Sequence, residues 1–363
     1  MNIKIIGAGS IGNHLAQAAR RMGWTVTVVD RDPEALARMK GDIYPSRYGS
    51  WDPQIRLATM AEAPRGGFDI ICVGTPPDVR MEVARAALTE RPRLLQLEKP
   101  LCPPTLEGLE AFLFDTQAHA EVAAVVGYDH AVGASVTELV RLLEAGVVGV
   151  TQSLDVEFRE HWGGILAAHP WLSGVEESYL GDWRRGGGAG GEHSHALHLW
   201  RFLALRAGLG EWKSLSAAME MRRAGRAEYD AIAAFTLISE GGRIGRVIQD
   251  VVTTPPRKMA RVHGEEGTLE WICGGHPRGD LVRILPRRGD PVDHLFERTR
   301  PDDFHREMLH FDDLLSGRVK PEDSPISLAS GVAVMALLAA AYTGGHAPAV
   351  IAGIPVQASG IPR

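Results

Sequence analysis

The stretch RRGGGAGGEHSHALHLW, residues 184–200, holds five glycines in six positions and then Glu192, His193, His195 and His198 within seven. A carboxylate and imidazoles this close together can move protons beside a substrate or bind a metal. They can also be hydrogen-bonded members of a core. Treated as one helix over 192–205, the segment puts Glu192 and His195 on the apolar face of Ala196, Leu199, Trp200, Phe202 and Leu203, with His193 and His198 on its flanks. The glycines before it permit close approach of ligand or backbone, which favours a site over a core. A metal would need more ligands. Glu192 and His195 form a Glu-x-x-His pair, and Glu307 and His310 form another. Phe304, Met308, Phe311 and Leu315 make the buried stripe of that second helix and turn His310 about 130° away. The two pairs are not expected to meet, so no metal is expected.

Other groups with chemical potential lie nearer the N-terminus. In LLQLEKPLCPP an apolar strand ends at Glu98, Lys99 and Pro100, and the proline keeps Lys99 out of the helical region. The ammonium is thereby held at the carboxyl edge of a sheet, where open α/β sheets bind ligands. IKIIGAGSIG places Gly7, Gly9 and Gly12 after a strand, with Ser10 and Ile11 at the mouth of a helix. Such glycines allow a tight turn, close approach of a pyrophosphate and tight helix packing. Asp30 ends the next strand, VTVVDRD, where a carboxylate accepts hydrogen bonds from ribose hydroxyls and repels a 2′-phosphate. NAD is therefore favoured over NADP. Arg31 beside it reads as a solvated arginine, although a guanidinium there could bind that phosphate.

These residues require particular elements around them. Up to about residue 128, short apolar runs (IKII, VTVV, FDIICV, RLLQL, EVAAVV) alternate with helical patterns near 10–22, 33–40, 78–89 and 104–118. This is the rhythm of a parallel sheet with crossover helices. Residues 41–65 give no clear assignment. Beyond residue 146 the pattern turns to long strands. VTQSLDVEF alternates with Val150, Leu154, Val156 and Phe158 on one face, AIAAFTLI is apolar on both faces, and EGGR joins it to IGRVIQDVV as a hairpin near the sheet centre. Further strands are predicted at 215–221, 258–263, 268–272 and 281–285, with helices at about 302–316 and 328–343. The fold class is α/β: a Rossmann dinucleotide-binding domain over 1–127, followed by an α+β domain over 128–363 with a large, mostly antiparallel sheet.

With 39 Lys plus Arg against 45 Asp plus Glu among 363 residues, the chain has no like-charge block suited to nucleic acid or a membrane surface. No apolar run reaches transmembrane length. Cys72, Cys102 and Cys273 are scattered and odd in number, which argues against a disulfide framework and fits a reducing cytoplasm.

The glycine fingerprint, VGTPPDVRMEVARAAL, EKPLCPP and GGGAGGEHSHALHL follow one another as in the glucose-fructose oxidoreductase and inositol dehydrogenase (Gfo/Idh/MocA) family, which the chain resembles over nearly its whole length. The resemblance implies an NAD(P)-dependent oxidoreductase in which Lys99 contacts the reacting oxygen, Glu98 positions it, and Thr75, Pro76 and Pro77 lie beside the cofactor. His195 matches the acid-base histidine, and Glu192 and His198 replace aspartates common in relatives. Tyr128 and Asp129, in GYDHAVG, are candidate pocket residues. His161, Trp162, His169, Trp183, Arg184 and Arg185 suit a loop that stacks on and hydrogen-bonds a polyhydroxyl ring. The expected protein is an NAD-dependent dehydrogenase of a sugar, cyclitol or derivative, in which His195, assisted by Lys99, accepts the hydroxyl proton. A homodimer or homotetramer is expected, joined through the open face of the second sheet. The alternatives are a glycosidase using tightly held NAD for transient oxidation, and a non-catalytic cofactor-sensing regulator.

Overall fold

A computed structural model of the chain describes residues 1–344, so the last part of the 128–363 segment lies outside the described residues. Strands β1 (Asn2–Ile6), β2 (Thr25–Asp30), β3 (Ile55–Thr59), β4 (Ile70–Val73), β5 (Leu94–Leu97) and β6 (Ala123–Val126) form a parallel sheet ordered β3-β2-β1-β4-β5-β6. Its strands are apolar on both faces because α1 (Ser10–Arg21), α2 (Pro33–Arg38), α3 (Tyr44–Tyr48), α4 (Pro77–Leu88) and α5 (Leu109–Ala118) cover it. The order reverses between β1 and β4, which opens a crevice beyond their carboxyl ends. The span 41–65, unassigned from periodicity, contains α3 and β3. β3 is a short, half-polar edge strand with little periodic signal. The predicted helix at 104–118 begins only at Leu109, after a turn in which Leu106 and Gly108 take positive φ.

After α6 (Ala134–Glu144) come β7 (Thr151–Arg159), α7 (Trp162–Ala167), α8 (Gly188–Glu192) and α9 (His195–Arg206). Then follow β8 (Trp212–Ala224), β9 (Ala227–Ser239), β10 (Ile244–Asp250), β11 (Arg257–Gly264), β12 (Gly267–His276), β13 (Gly279–Pro286), β14 (Val292–Glu297), α10 (Arg300–Leu315) and α11 (Leu328–Tyr342). The strands make one sheet ordered β14-β13-β12-β11-β7-β10-β9-β8, antiparallel except for the β7–β10 pair. Alternation in β7 buries Leu154, Val156 and Phe158. Val150, expected on that face, precedes the strand and is 57 % exposed. α9 packs on β7 and β10, where Trp200 donates to the Leu154 carbonyl at 3.1 Å. Among the described residues no helix is long and apolar enough to cross a membrane.

The helix expected over 192–205 is broken at His193 and Ser194. Two carbonyls at the break are satisfied from outside: that of Glu192 accepts from Lys99 Nζ, and that of His193 accepts from Gln249 Nε2. With those acceptors taken, the chain turns between α8 and α9 without leaving buried carbonyls unpaired.

Gly12 packs α1 against β1 so closely that an added Cβ would lie 1.9 Å from the Gly7 carbonyl oxygen, whereas a Cβ at Gly9 would meet nothing within 4 Å. Gly12→Ala is therefore expected to lose about 1–3 kcal/mol, because only backbone movement relieves the clash. Gly9→Ala should melt like the wild type. Thermal unfolding of the two variants checks this, and equal melting temperatures would refute the packing assignment.

Candidate active site

A groove of about 620 Å³ runs from the β1–β4 crevice to Glu192, the last residue of α8. Gly7, Gly9, Ser10 and Ile11 form one wall, at the amino end of α1. The space above Gly9 is open, so a pyrophosphate can approach the helix N-terminus there. Asp30 and Arg31 line the groove where β2 ends. The Asp30 carboxylate accepts from Ala8 N at 2.7 Å and Asp32 N at 2.9 Å, which fixes it while leaving lone pairs for ribose hydroxyls. Thr75 and Pro76 line the groove at the tip of β4. From the other side, His169, Trp171, Leu172, Tyr179 and Leu180 close over it. Arg47 ties that segment down by donating to the Ala168 carbonyl at 2.9 Å. These walls fit a dinucleotide.

Lys99 stands at the end of β5 in a turn organised by Arg80. That guanidinium, buried on α4, donates to the carbonyls of Thr75, Glu98 and Pro100 and so clamps the tips of β4 and β5 together. The Lys99–Pro100 peptide is cis. Lys99 Nζ donates to the Glu192 carbonyl at 2.8 Å and lies 3.3 Å from Glu192 Oε2, and both side chains line the groove. Glu98 is buried behind them and accepts from Gln96 Nε2 at 2.7 Å. Burial pushes its carboxyl up to about 7, although Arg80 opposes the shift.

The glycine run lets the chain carrying Glu192 pass through crowded space. An added Cβ at Gly186, where φ is +94°, would lie 2.8 Å from Pro77. At Gly188, where φ is +77°, it would lie 1.9 Å from Asp230 Oδ1. Asp230, buried on β9, accepts from Gly190 N at 2.7 Å and from the Tyr342 hydroxyl at 2.5 Å, and so anchors α8. Beyond the helix break, His195 faces Asp129, with Nδ1 3.7 Å from Oδ1. Its ring lies edge-on to His130 at 4.9 Å and to Tyr128 at 5.5 Å. Burial first, then His130 and Lys99, hold the His195 imidazole well below the usual histidine range, so it is neutral.

The remaining candidates divide. Glu98, Lys99 and Glu192 meet at the groove, while His195 does not line it and lies against Asp129 and His130. Gly12 and Pro77 serve packing: Gly12 under α1, and Pro77 as the first residue of α4 against Gly186. His198, expected at the pocket, is buried in a stack on Tyr128 at 4.1 Å and hydrogen-bonds the Pro325 carbonyl at 2.8 Å. Tyr128 is itself fully buried between that stack and His195. His161 caps α7 by accepting from Gly163 N, and Trp162 belongs to a small apolar cluster with Ile165, Leu180, Ala189 and Val251. Trp183 stacks on Tyr342 at 4.5 Å, and Arg184 lies over Trp183 and pairs with Glu228 at 3.2 Å. These four residues lie off the groove, and the partners just named occupy their polar or apolar surface. Glu307 is buried near Glu98 and Asp129, while His310 hydrogen-bonds Ser324 at 2.8 Å. Arg80, Asp230 and His130 were not singled out from sequence, since their partners are distant backbone groups or rings with no fixed spacing.

A Rossmann crevice with an acid at the end of β2 and a lysine–carboxylate pair facing the groove fits a nicotinamide-dependent oxidoreductase. Residues 1–128 match the model for the oxidoreductase family with the NAD-binding Rossmann fold, Gfo/Idh/MocA, and residues 136–270 match the Gfo/Idh/MocA C-terminal domain. The chain belongs to this family and is an NAD-binding dehydrogenase or reductase. Nothing among the curated proteins matches the sequence significantly. Similar folds include an inositol dehydrogenase homolog complexed with NAD+ from Azotobacter vinelandii (TM-score 0.71, 19 % identity, covering 95 % of this chain and 96 % of that one). They also include levoglucosan dehydrogenase complexed with NADH (0.73, 17 %, 96 % and 99 %) and aldose-aldose oxidoreductase from Caulobacter crescentus (0.72, 16 %, 95 % and 97 %).

Burial raises the Asp230 carboxyl to about 7 even though both of its hydrogen bonds favour the charged form. An acid whose folded value lies above its unfolded one stabilises the fold while it is protonated, and that stability is lost as pH rises from about 4 through 7. Asp230→Asn keeps an acceptor but cannot ionise. Its stability, followed by denaturant unfolding from pH 5 to 8, is expected to fall less with rising pH than that of the wild type, and parallel curves would refute this.

Proposed function

We propose that the protein interconverts a secondary alcohol and a ketone on a sugar, cyclitol or related polyhydroxyl compound, with NAD as cofactor. The observation that carries this reading is Lys99 Nζ at 3.3 Å from the Glu192 carboxylate, both facing the groove at the strand ends. Bound NAD supplies the hydride acceptor. Lys99 donates a hydrogen bond to the reacting hydroxyl oxygen and stabilises negative charge as it develops. The hydroxyl proton passes to the neighbouring Glu192 carboxylate. His195 was the acceptor expected from sequence. Because Glu192 is the group on the groove wall, the carboxylate takes that role in this proposal, and His195, beside Asp129 and His130, is assigned to further substrate hydroxyls. Lys258, paired with Glu160 at 2.8 Å, adds a second cation–carboxylate pair whose charge reaches His195. Such paired donors and acceptors suit several hydroxyls better than one apolar group. Structures of similar fold include levoglucosan dehydrogenase complexed with NADH and L-sorbose, which supports the substrate class.

We assign NAD rather than NADP because Asp30 occupies the ribose position. Arg38 on α2 is engaged with Asp32 at 3.4 Å, while Arg31 lines the groove beside Asp30 as the competing cation. We also propose self-association through the open face of the larger sheet. There Ile238 and Ile244, paired in register, are 37 % and 55 % exposed beside a salt-bridged row that includes Arg246–Asp155 and Arg261–Glu270. Light scattering at micromolar concentration should give at least a dimer, and a monomer would refute that assignment.

A panel of sugars and cyclitols followed by NADH formation tests the reaction. Lys99→Ala and Glu192→Gln are each expected to cut turnover by roughly a hundredfold or more, the scale of a positioned acid-base group, with NAD affinity retained. Near-wild-type rates would refute the site, and turnover of a glycoside without net NADH would indicate the glycosidase alternative. In cofactor titrations NAD should bind more tightly than NADP, and Asp30→Ala should narrow the difference; equal affinities in the wild type would refute the role of Asp30.

A further inference from the structure

We propose that Asp129, His130 and His195 form a binding site for one divalent transition-metal ion of the Zn²⁺, Co²⁺, Fe²⁺ and Mn²⁺ group. Asp129 and His130 open the turn after β6, and His195 is the first residue of α9. One ligand-type atom from each lies within 4.8 Å of the other two. His195 Nδ1 is buried and makes no hydrogen bond. The Asp129 oxygen it faces is 3.7 Å away, too far for a hydrogen bond, which would bring the atoms to about 2.9 Å. Ligand bonds of about 2.0–2.2 Å around a tetrahedral ion separate neighbouring ligand atoms by roughly 3.3–3.6 Å. The observed gap is thus close to that of two ligands on one ion.

The donor set narrows the ion. Two imidazoles and one carboxylate suit borderline metals, whereas Mg²⁺ and Ca²⁺ prefer oxygen alone and copper(I) prefers sulfur. The rings are also held in place. His130 lies edge-on to Phe158 at 5.3 Å and to Trp271 at 5.6 Å, and His195 stacks on Phe158 at 6.2 Å. An apolar wall on that side limits water access and fixes ring orientation, as supporting shells of metal sites do. Three protein ligands leave at least one coordination position open. On the reading of the preceding subsection, that position takes a hydroxyl of the substrate, and His195 then serves the reaction as a ligand. The ion site itself does not depend on that reading. The Glu-x-x-His spacing within the glycine-rich segment does not predict it, because only His195 of that pair takes part.

The test uses the whole protein, stripped with a chelator and titrated with Co²⁺ and Zn²⁺, with bound metal measured by elemental analysis. One equivalent per chain and visible Co²⁺ absorption bands are expected. Asp129→Asn and His130→Ala should each weaken Zn²⁺ binding at least roughly a hundredfold, since loss of a supporting group alone costs up to that much. Both should still bind NAD, which verifies that they fold, and His119→Ala, remote from the three residues, should bind metal like the wild type. Absence of binding by the wild type, or wild-type affinity in both ligand variants, overturns the proposal. Metal binding without oxidation of any polyol would leave the ion site standing and sink only the proposed reaction; oxidation at an undiminished rate by metal-free protein would overturn the ion's part in holding substrate.

Discussion

The contact between Lys99 and Glu192 joins the two halves of the molecule at the point where chemistry is possible. The lysine comes from the tip of a parallel strand, and the glutamate from the end of a short helix in the second half. The ammonium binds both the main chain and the side chain of Glu192, so it sets where α8 stops as well as where the carboxylate points. A lysine that pairs only with an exposed side chain would fix neither. The break before α9 then carries His195 away from the groove and against Asp129 and His130.

Two buried polar side chains support that contact from behind. Arg80 donates to three carbonyls at the ends of β4 and β5, and Asp230 accepts from the glycine segment and from Tyr342. Each is taken out of water at substantial cost, offset only by multiple hydrogen bonds. Both spend those bonds on turns that present functional groups: Arg80 on the Thr75 and Glu98–Pro100 turns, Asp230 on α8. A turn held by one buried multidentate group has few alternative conformations, which suits a site that must keep a cofactor and a lysine in register.

The neighbouring cluster is built differently. The rings of His130 and His195 pack against other aromatic rings, with Tyr128 and His198 stacked beneath, while the Asp129 carboxylate accepts from His130 N at 2.9 Å. His198 resembles a site residue in sequence because it lies one turn from His195. Its carbonyl partner at Pro325 makes it part of the core instead. Trp183 and Arg184 were attractive as sugar-binding groups, yet Tyr342 and Glu228 already occupy them.

Local sequence determined the parallel sheet, the nucleotide turn, Asp30 and the strand-end lysine. Each depends on a short run of neighbours: apolar residues covered on both faces, glycines where backbone must approach backbone, and an acid or a proline at a strand end. The large second sheet was legible for the same reason, through the alternation of β7 and the β9–β10 hairpin. What tertiary structure alone decided were the break between Glu192 and His195, the clamping of two turns by Arg80, the anchoring by Asp230 and the meeting of Asp129 and His130 with His195. In each case the partners are far apart along the chain, and the outcome depended on which buried carbonyl, carboxylate or ring remained to be satisfied once the sheets had packed.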